Sequence, residues 1–163
     1  MLIDNTTGTR IMSSVQSQHI PSGLPLFVKG IVVKGFGRGS KRLGCPTANI
    51  SSDVVAQITL STGIYCGFAL LYDVIHPMSC SLGFNPQYKN ETKSLEVHIL
   101  PDTLDDFYGE ELRIVIVAKL RDEKAFPSEA DLKEAISQDN EQALRLVSDK
   151  RFEPLKQQLK LFS

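Results

Sequence analysis

The order of apolar and polar positions predicts short β-strands followed by helices. From residue 24 onward, apolar and β-branched runs are separated by glycine, proline and asparagine, which favour turns. Strands and helices do not alternate, so a doubly wound parallel sheet is not expected. The predicted strands cover residues 26–35, 63–74, 78–85, 94–100 and 111–121, and Gly83 interrupts the third.

The last predicted strand is apolar on both faces. Alternate residues from Leu112 to Leu120 line one face, while Val115 and Val117 make the other face partly apolar. A strand of this kind is buried on both sides, so other elements must pack outside the sheet.

Two helices are predicted to supply that cover. The first begins with a capping box at Ser128, and the second begins near Glu153 with Pro154 in its first turn. The whole pattern predicts an α+β, mainly β protein: a small antiparallel barrel with C-terminal helices packed on one side.

Composition and charge narrow the class of protein. A chain of 163 residues with 42% apolar and 23% charged residues suits one globular domain, assigned to residues 21–163. Residues 1–20 lack the apolar core of a secretory signal and are predicted to form a mobile polar arm. A net charge of −1 gives no global attraction for nucleic acid or an anionic membrane. No apolar run is long enough for a membrane span.

Cysteine usage indicates the compartment. The three cysteines are an odd number without metal-site spacing, which is typical of reduced thiols in the cytoplasm. We therefore expect a cytoplasmic protein, and we take it to be a monomer.

The stretch GFGRGSKRLGCPTANI, residues 35–50, has the residue types of a phosphate site in an unfamiliar order. A P-loop needs Gly-Lys-Ser/Thr before a helix, and a dinucleotide fingerprint needs a glycine where Ser40 stands. Glycines would still let main-chain N–H groups approach phosphate oxygens, and Lys41 would add a positive charge. Composition alone leaves phosphate binding and a solvated hairpin loop as equal alternatives.

The end of this stretch suggests a metal site. Pro46 favours extended backbone, which would place Thr47 and Asn49 on one side of the chain. Their hydroxyl and carboxamide oxygens could bind Mg²⁺, with nucleotide phosphates and water completing the octahedron. The alternative is a turn in which Asn49 forms local hydrogen bonds, and the residues alone favour that alternative.

A candidate base lies in SLEVHIL, residues 94–100. Glu96 and His98 share one face of this strand, opposite the apolar residues between them. A carboxylate held there could take the proton from an alcohol during phosphoryl transfer. A polar pair facing solvent on an amphipathic strand is the commoner alternative.

Taken together, these motifs resemble the riboflavin kinase (flavokinase) family, in its single-domain eukaryotic type. The likeness extends over about residues 24–148 and rests on GFGRGSKRLGCPTANI, on STGIYCGFA with GFNPQYKNETKSLEVHIL, and on DFYGEELRIVIVAKLRDEKAF. The resemblance implies a six-stranded antiparallel Greek-key barrel with a helix packed against it. It also implies transfer of the ATP γ-phosphate to the ribityl 5′-hydroxyl of riboflavin, which yields ADP and FMN.

The resemblance further implies roles for individual residues. Glu96 would be the catalytic base, and Thr47 with Asn49 would hold Mg²⁺. Members of the family differ in preferring magnesium or zinc, so Zn²⁺ is a second possibility, although oxygen ligands favour Mg²⁺. The implied ATP contacts are Gly35, Lys41, Thr47, Ile99, Pro101 and Tyr108, and the implied flavin contacts are Arg121, Lys124 and Phe126.

One departure from the family and two rival functions remain. The flavin segment commonly reads Leu-Arg-Pro-Glu-Lys-Asn-Phe, whereas this chain has Asp122 and Ala125 in place of proline and asparagine. A more flexible loop is expected there. The first rival is a non-catalytic flavin-binding or flavin-reductase-type barrel, which needs no cationic glycine-rich loop. The second is a nucleic-acid-binding barrel, which is disfavoured because the basic loop has only Phe36 for base stacking.

Overall fold

A computed structural model of the protein describes residues 23–34, 47–84, 92–100 and 106–163. The predicted arm, residues 1–20, lies outside these ranges. The described strands are Leu26–Val33 (β1), Ala48–Ile50 (β2), Gly63–Leu71 (β3), Val74–Phe84 (β4), Lys93–Ile99 (β5) and Glu111–Arg121 (β6). The described helices are Ser52–Val55 (α1), Glu129–Val147 (α2) and Glu153–Leu161 (α3), with a 3₁₀ turn at Lys150–Phe152.

The strands form a closed barrel in the order β1-β2-β5-β4-β3-β6, and all neighbours are antiparallel. Within it, β3, β4 and β5 follow one another as neighbours while β6 returns beside β3, which is the Greek-key order. The predicted six-stranded antiparallel barrel with C-terminal helices is confirmed. Closure leaves no unpaired sheet edge around the described barrel.

Alternation along the strands sends every second side chain into the barrel. Tyr65, Leu95, Leu112 and Ile114 are fully buried members of the interior core. Because the neighbouring positions point outward, β4 and β5 present a second, more polar face outside the barrel. That outer face bears the candidate site.

The outer face of β3 and β6 is apolar and is covered by helices. Phe68 and Val115 pack there with Ala143 of α2 and Leu159 of α3. This confirms that β6 is buried on both sides. Helix α2 begins as predicted, since the Ser128 side chain accepts a hydrogen bond from the Asp131 main-chain N–H.

The prediction that one face of β6 runs unbroken from Leu112 to Leu120 is wrong. Cys66 pairs with Ala118, but the next residue, Gly67, pairs with Ile116, so β6 has an extra residue at this point. Such a bulge reverses which side chains point outward. Ala118 and Leu120 therefore pack in the outer cluster rather than in the barrel interior.

The boundaries of β4 also differ from the sequence prediction. The strand starts at Val74 because the preceding turn is at Tyr72 and Asp73, whose φ angles of 49° and 62° suit a tight hairpin. It continues through Gly83, which pairs with Ser94, so glycine does not break the strand.

Two remaining features concern the thiols and the membrane. Cys66 and Cys80 are free and buried, and burial raises the pKa of both thiols, that of Cys66 to about 12. Both therefore remain neutral apolar side chains at neutral pH. Within the described ranges, no helix combines the length and apolar character needed to cross a membrane.

Candidate active site

The pairing of two strands brings the candidate base next to the candidate metal ligands. Asn49 of β2 lies directly opposite Glu96 of β5, and Ala48 lies opposite Val97. Since Ala48 and Val97 point into the barrel, Asn49 and Glu96 share the outer face. Thr47 lies two residues from Asn49, and its Oγ1 donates a hydrogen bond to Glu96 Oε2 at 3.3 Å. Two residues 49 positions apart in sequence are thus in direct contact.

A cavity of about 780 Å³ lies against this outer face. Its other walls are α2 and the segment that follows β6. It has an apolar part, formed by Ile64, Phe126, Leu132 and Ile136. It also has a polar part, formed by Thr47, Ser79, Ser81, Glu96, His98, Arg121, Glu123, Lys124, Asp139 and Asn140.

The environment of Glu96 makes its carboxylate a stronger base than an ordinary glutamate. Burial raises the pKa of Glu96, and the hydrogen bond from Thr47 partly opposes that rise. A raised pKa near the cavity is the property that a general base requires at neutral pH.

Three residues with predicted flavin roles line the same cavity. The Arg121 guanidinium and the Lys124 ammonium lie 5.5 Å and 5.3 Å from the centre of the Phe126 ring. A cation near an aromatic ring is attracted by the negative charge of its face, and Phe126 also lines the cavity. An aromatic ring with flanking cations is suited to a flat, electron-poor heterocycle.

Helix α2 fixes the orientation of Arg121. The Nε and Nη2 of Arg121 donate to the two carboxylate oxygens of Asp139, on α2, at 2.9 Å and 2.8 Å. The Nη1 of Arg121 donates to the carbonyl of Asp122. A bidentate pair of this kind is both strong and directional. Asp139 is only 7% exposed, so the pair joins α2 to the end of β6.

Asp122, which replaces the proline common in the family, interacts with a lysine of β6. Asp122 forms an ion pair with Lys119 at 2.6 Å, and the Lys119 ammonium lowers the pKa of Asp122. Lys119 also donates to Ser61 Oγ at 3.2 Å. A solvent-exposed ion pair therefore stands at the position where proline is common in the family.

Of the remaining predicted contacts that the structure describes, Ile99 and Tyr108 do not line the cavity. Ile99 is 5% exposed and packs in the barrel interior, so only its main chain is available to a nucleotide. Tyr108 is half-exposed beside Lys34, whose ammonium lies 5.8 Å from the ring centre, where the chain leaves β1 toward the glycine-rich stretch. Gly35, Lys41 and Pro101 lie outside the described residues.

Several residues that line the cavity are not predicted as site residues from the sequence. Ser79 donates to Asn140 Oδ1 at 2.9 Å and so joins β4 to α2, while Glu123 lies on the loop after β6. The alternation of Ser79 and Ser81 with apolar neighbours is a signal for a polar outer face. Asp139 in the buried stripe of α2 is a second signal, because a buried carboxylate requires a partner.

The donor atoms near β2 fit a hard cation. Thr47 and Asn49 offer hydroxyl and carboxamide oxygens, which suit Mg²⁺ better than softer metals. Within the described stretches, no three or more His, Cys, Asp or Glu side chains are grouped so as to hold a metal ion. Two uncharged protein ligands do not complete an octahedron, so a cation held here would need further oxygen ligands, such as water or phosphate.

The chain is similar to proteins described as riboflavin kinases. A family model described as "Flavokinase: Riboflavin kinase" matches residues 22–147. Human riboflavin kinase is 50% identical over 123 residues, which cover 74% of this chain and 79% of the human protein.

Two solved structures share the fold. A riboflavin kinase from Trypanosoma brucei has a TM-score of 0.56 at 23% identity, with 77% of this chain and 81% of that chain covered. A macrolide-efflux protein from Streptococcus pneumoniae has a TM-score of 0.63 at 28% identity. That match covers 73% of this chain but only 38% of the other.

Proposed function

The chain belongs to the riboflavin kinase family, and from this premise we propose that it phosphorylates riboflavin with ATP, using Glu96 as the base. The reaction transfers the ATP γ-phosphoryl group to the ribityl 5′-hydroxyl and yields FMN and ADP. The observation that best supports the assignment is the meeting of Thr47, Asn49 and Glu96 beside a ligand-sized cavity.

The mechanism requires a positioned alcohol and a neutralised phosphoryl group. Glu96 accepts the proton of the 5′-hydroxyl as its oxygen attacks the γ-phosphorus, and the bond from phosphorus to the ADP oxygen breaks. Little covalent chemistry is required of the protein, so positioning and charge account for most of the rate. The apolar part of the cavity, with Phe126, is suited to the isoalloxazine ring, and the glycine-rich stretch with Lys41 to the phosphates.

The metal proposed for this site is Mg²⁺, with Zn²⁺ as a second possibility. Thr47 and Asn49 would hold it together with ATP, and when bound it would neutralise phosphate charge. Both protein ligands are uncharged, so the ion is expected to arrive with the nucleotide rather than to bind beforehand.

A direct assay tests the proposed activity. Purified protein is incubated with riboflavin, ATP and Mg²⁺, and FMN is measured by chromatography. We expect FMN to form only when ATP and a divalent cation are both present. Absence of FMN with every divalent cation tried would contradict the assignment.

Removing the proposed metal ligands is expected to impair use of the nucleotide more than binding of riboflavin. Asn49→Ala or Thr47→Val should raise the Mg²⁺–ATP concentration needed for half-maximal rate about tenfold or more, since each loses one oxygen ligand. The KM for riboflavin should change little. Steady-state kinetics at varied Mg²⁺ measures both quantities.

The two variants should differ from each other in their pH dependence. Thr47 donates to Glu96 and lowers its pKa, so Thr47→Val should also move the acid limb of the rate profile to higher pH. Asn49→Ala should leave that limb in place. Thr62→Val, at a threonine outside the cavity, is the matched control. An unchanged Mg²⁺ dependence in both variants would show that the metal lies elsewhere.

The rival function, a non-catalytic flavin-binding or flavin-reductase-type barrel, is not favoured. The family match and the human relative are both described as riboflavin kinases. A base next to oxygen ligands for a cation also has no purpose in passive flavin binding.

We further propose that residues 21–163 act as one cytoplasmic, monomeric domain. The free thiols of Cys66 and Cys80 support a reducing compartment. The closed described barrel supports a monomer, because it offers no strand edge for pairing with a second copy.

A further inference from the structure

Glu123, on the loop after β6, lies against a glycine on the outer wall of the barrel. A Cβ added to Gly83 would be 2.9 Å from Glu123 Cδ and closer still to Oε1, well inside van der Waals contact. The carboxylate therefore occupies the space that a side chain at position 83 would fill. Because Gly83 has no side chain, β4 can continue through this position while the loop after β6 packs against it.

This position places Glu123 in line with Glu96 along one wall. Gly83 and Ser81 point to the same side of β4, and Ser81 pairs directly with Glu96. The Glu123 carboxylate therefore lies about 7 Å along the strand from the level of Glu96. Burial raises the pKa of Glu123, and the positive charge of Arg121 lowers it. Glu96 is close enough that its negative charge also raises the pKa of Glu123.

The carboxylate of Glu123 has acceptor capacity to offer a ligand. Among the residues that the structure describes, it takes part in no hydrogen bond or ion pair. The nearest cation, Arg121, directs Nε and Nη2 to Asp139 and Nη1 to the Asp122 carbonyl. A carboxylate accepts several hydrogen bonds, and such charge-assisted bonds are stronger than neutral ones.

We propose that Glu123 determines specificity for the acceptor by accepting hydrogen bonds from the secondary hydroxyls of its polyol chain. The inference rests on the proposed function, because it takes the terminal hydroxyl to lie at Glu96. With that end fixed, the ribityl chain can span the distance to Glu123 along the wall of β4 and β5. The flavin ring then occupies the apolar part of the same cavity, which Phe126 lines.

The test compares two ligands that share the ring but differ in the chain. Riboflavin has the polyol, whereas lumiflavin has a methyl group in its place. Binding is measured by quenching of flavin fluorescence with ADP and Mg²⁺ present, so that no turnover occurs. Glu123→Ala is expected to weaken riboflavin binding about ten- to a hundredfold and to leave lumiflavin binding unchanged. In kinetics, the KM for riboflavin should rise while kcat at saturating riboflavin changes little.

A second variant tests the position of the carboxylate without removing it. Gly83→Ala should displace Glu123 from the wall, so it should show the same selective loss of riboflavin binding. Glu141→Ala, at an exposed carboxylate on α2 outside the cavity, should bind both ligands like the wild type. Equal losses for both ligands, or no loss for either with Glu123→Ala, would overturn the inference.

These outcomes separate the inference from the proposed function. Wild-type protein that forms no FMN contradicts the kinase assignment. Wild-type activity combined with no discrimination between the two ligands by Glu123→Ala contradicts only the role of Glu123.

Discussion

Replacing Glu96 with Gln is expected to lower kcat by about a hundred- to ten-thousandfold, the range typical of losing a general base. Gln keeps the shape of the side chain and can still accept the hydrogen bond from Thr47, but it cannot take up a proton. Riboflavin binding should therefore persist, which fluorescence quenching measures. Full turnover by this variant would remove Glu96 from the mechanism.

The pH dependence of the wild-type rate should reflect the same carboxylate. Glu96 must be ionised to accept a proton, and burial raises its pKa above the 4.5 of an ordinary glutamate. The kcat/KM of the wild type, which reports groups of the free enzyme, should fall as pH decreases, with an acid limb above 4.5. That limb should be absent from the residual activity of Glu96→Gln.

Stability measurements exclude misfolding as the cause of a lost rate. A carboxyl whose folded pKa is raised favours the folded state when protonated, and that contribution is lost as pH rises through the folded pKa. At neutral pH an ionised Glu96 is thus unfavourable for folding. Glu96→Gln should have a Tm equal to or above that of the wild type at pH 7. Glu141→Gln, on the exposed face of α2, is the control for both activity and Tm.

Gly67→Ala is expected to cause the largest loss of stability, about 3 kcal/mol or more, as severe overpacking does. A Cβ at this position would lie 2.9 Å from the carbonyl carbon of Val115 and closer still to its oxygen. The obstacle is the main chain of β6 at its bulge, which cannot move aside as a side chain can. Thermal unfolding followed by circular dichroism should show a Tm lower by about 10 °C.

Gly109→Ala is the matched control for this substitution. Gly109 has a φ of +82°, but a Cβ there would meet no atom within 4 Å. It should lose about 1–2 kcal/mol from backbone strain alone. If Gly67→Ala were no less stable than Gly109→Ala, the close approach of β3 and β6 at the bulge would be refuted.

The sequence predicts the barrel well because its signals are local. Alternation in residues 94–100 and 111–121 gives β5 and most of β6, and the cap at Ser128 gives the start of α2. The bulge in β6 escapes prediction because it depends on Gly67, a residue of another strand that lets the main chains approach. The short β2 has too few residues for a periodicity to be recognised.

The site is predicted less completely than the fold, for a related reason. Glu96, Thr47 and Asn49 stand in short motifs with known chemistry, so their types and spacing are informative. Glu123 and Asp139 acquire their surroundings from elements distant in sequence, namely Gly83 of β4 and Arg121 of β6. Nothing local to either carboxylate indicates these partners. Side chains alternate between the two faces of β5, so Ile99 points into the barrel when Glu96 points outward. The family resemblance nevertheless assigns Ile99 a nucleotide contact.

In strand β5, residues that stabilise the barrel alternate with residues that face the substrate cavity. Leu95 and Val97 hold the barrel together, while Glu96 between them faces the substrate cavity. Substitutions at the even-numbered positions can therefore change the reaction without disturbing the interior. An insertion or deletion of one residue would instead exchange the two sets and place a carboxylate in the core. We expect this segment to tolerate point changes during evolution while remaining fixed in length.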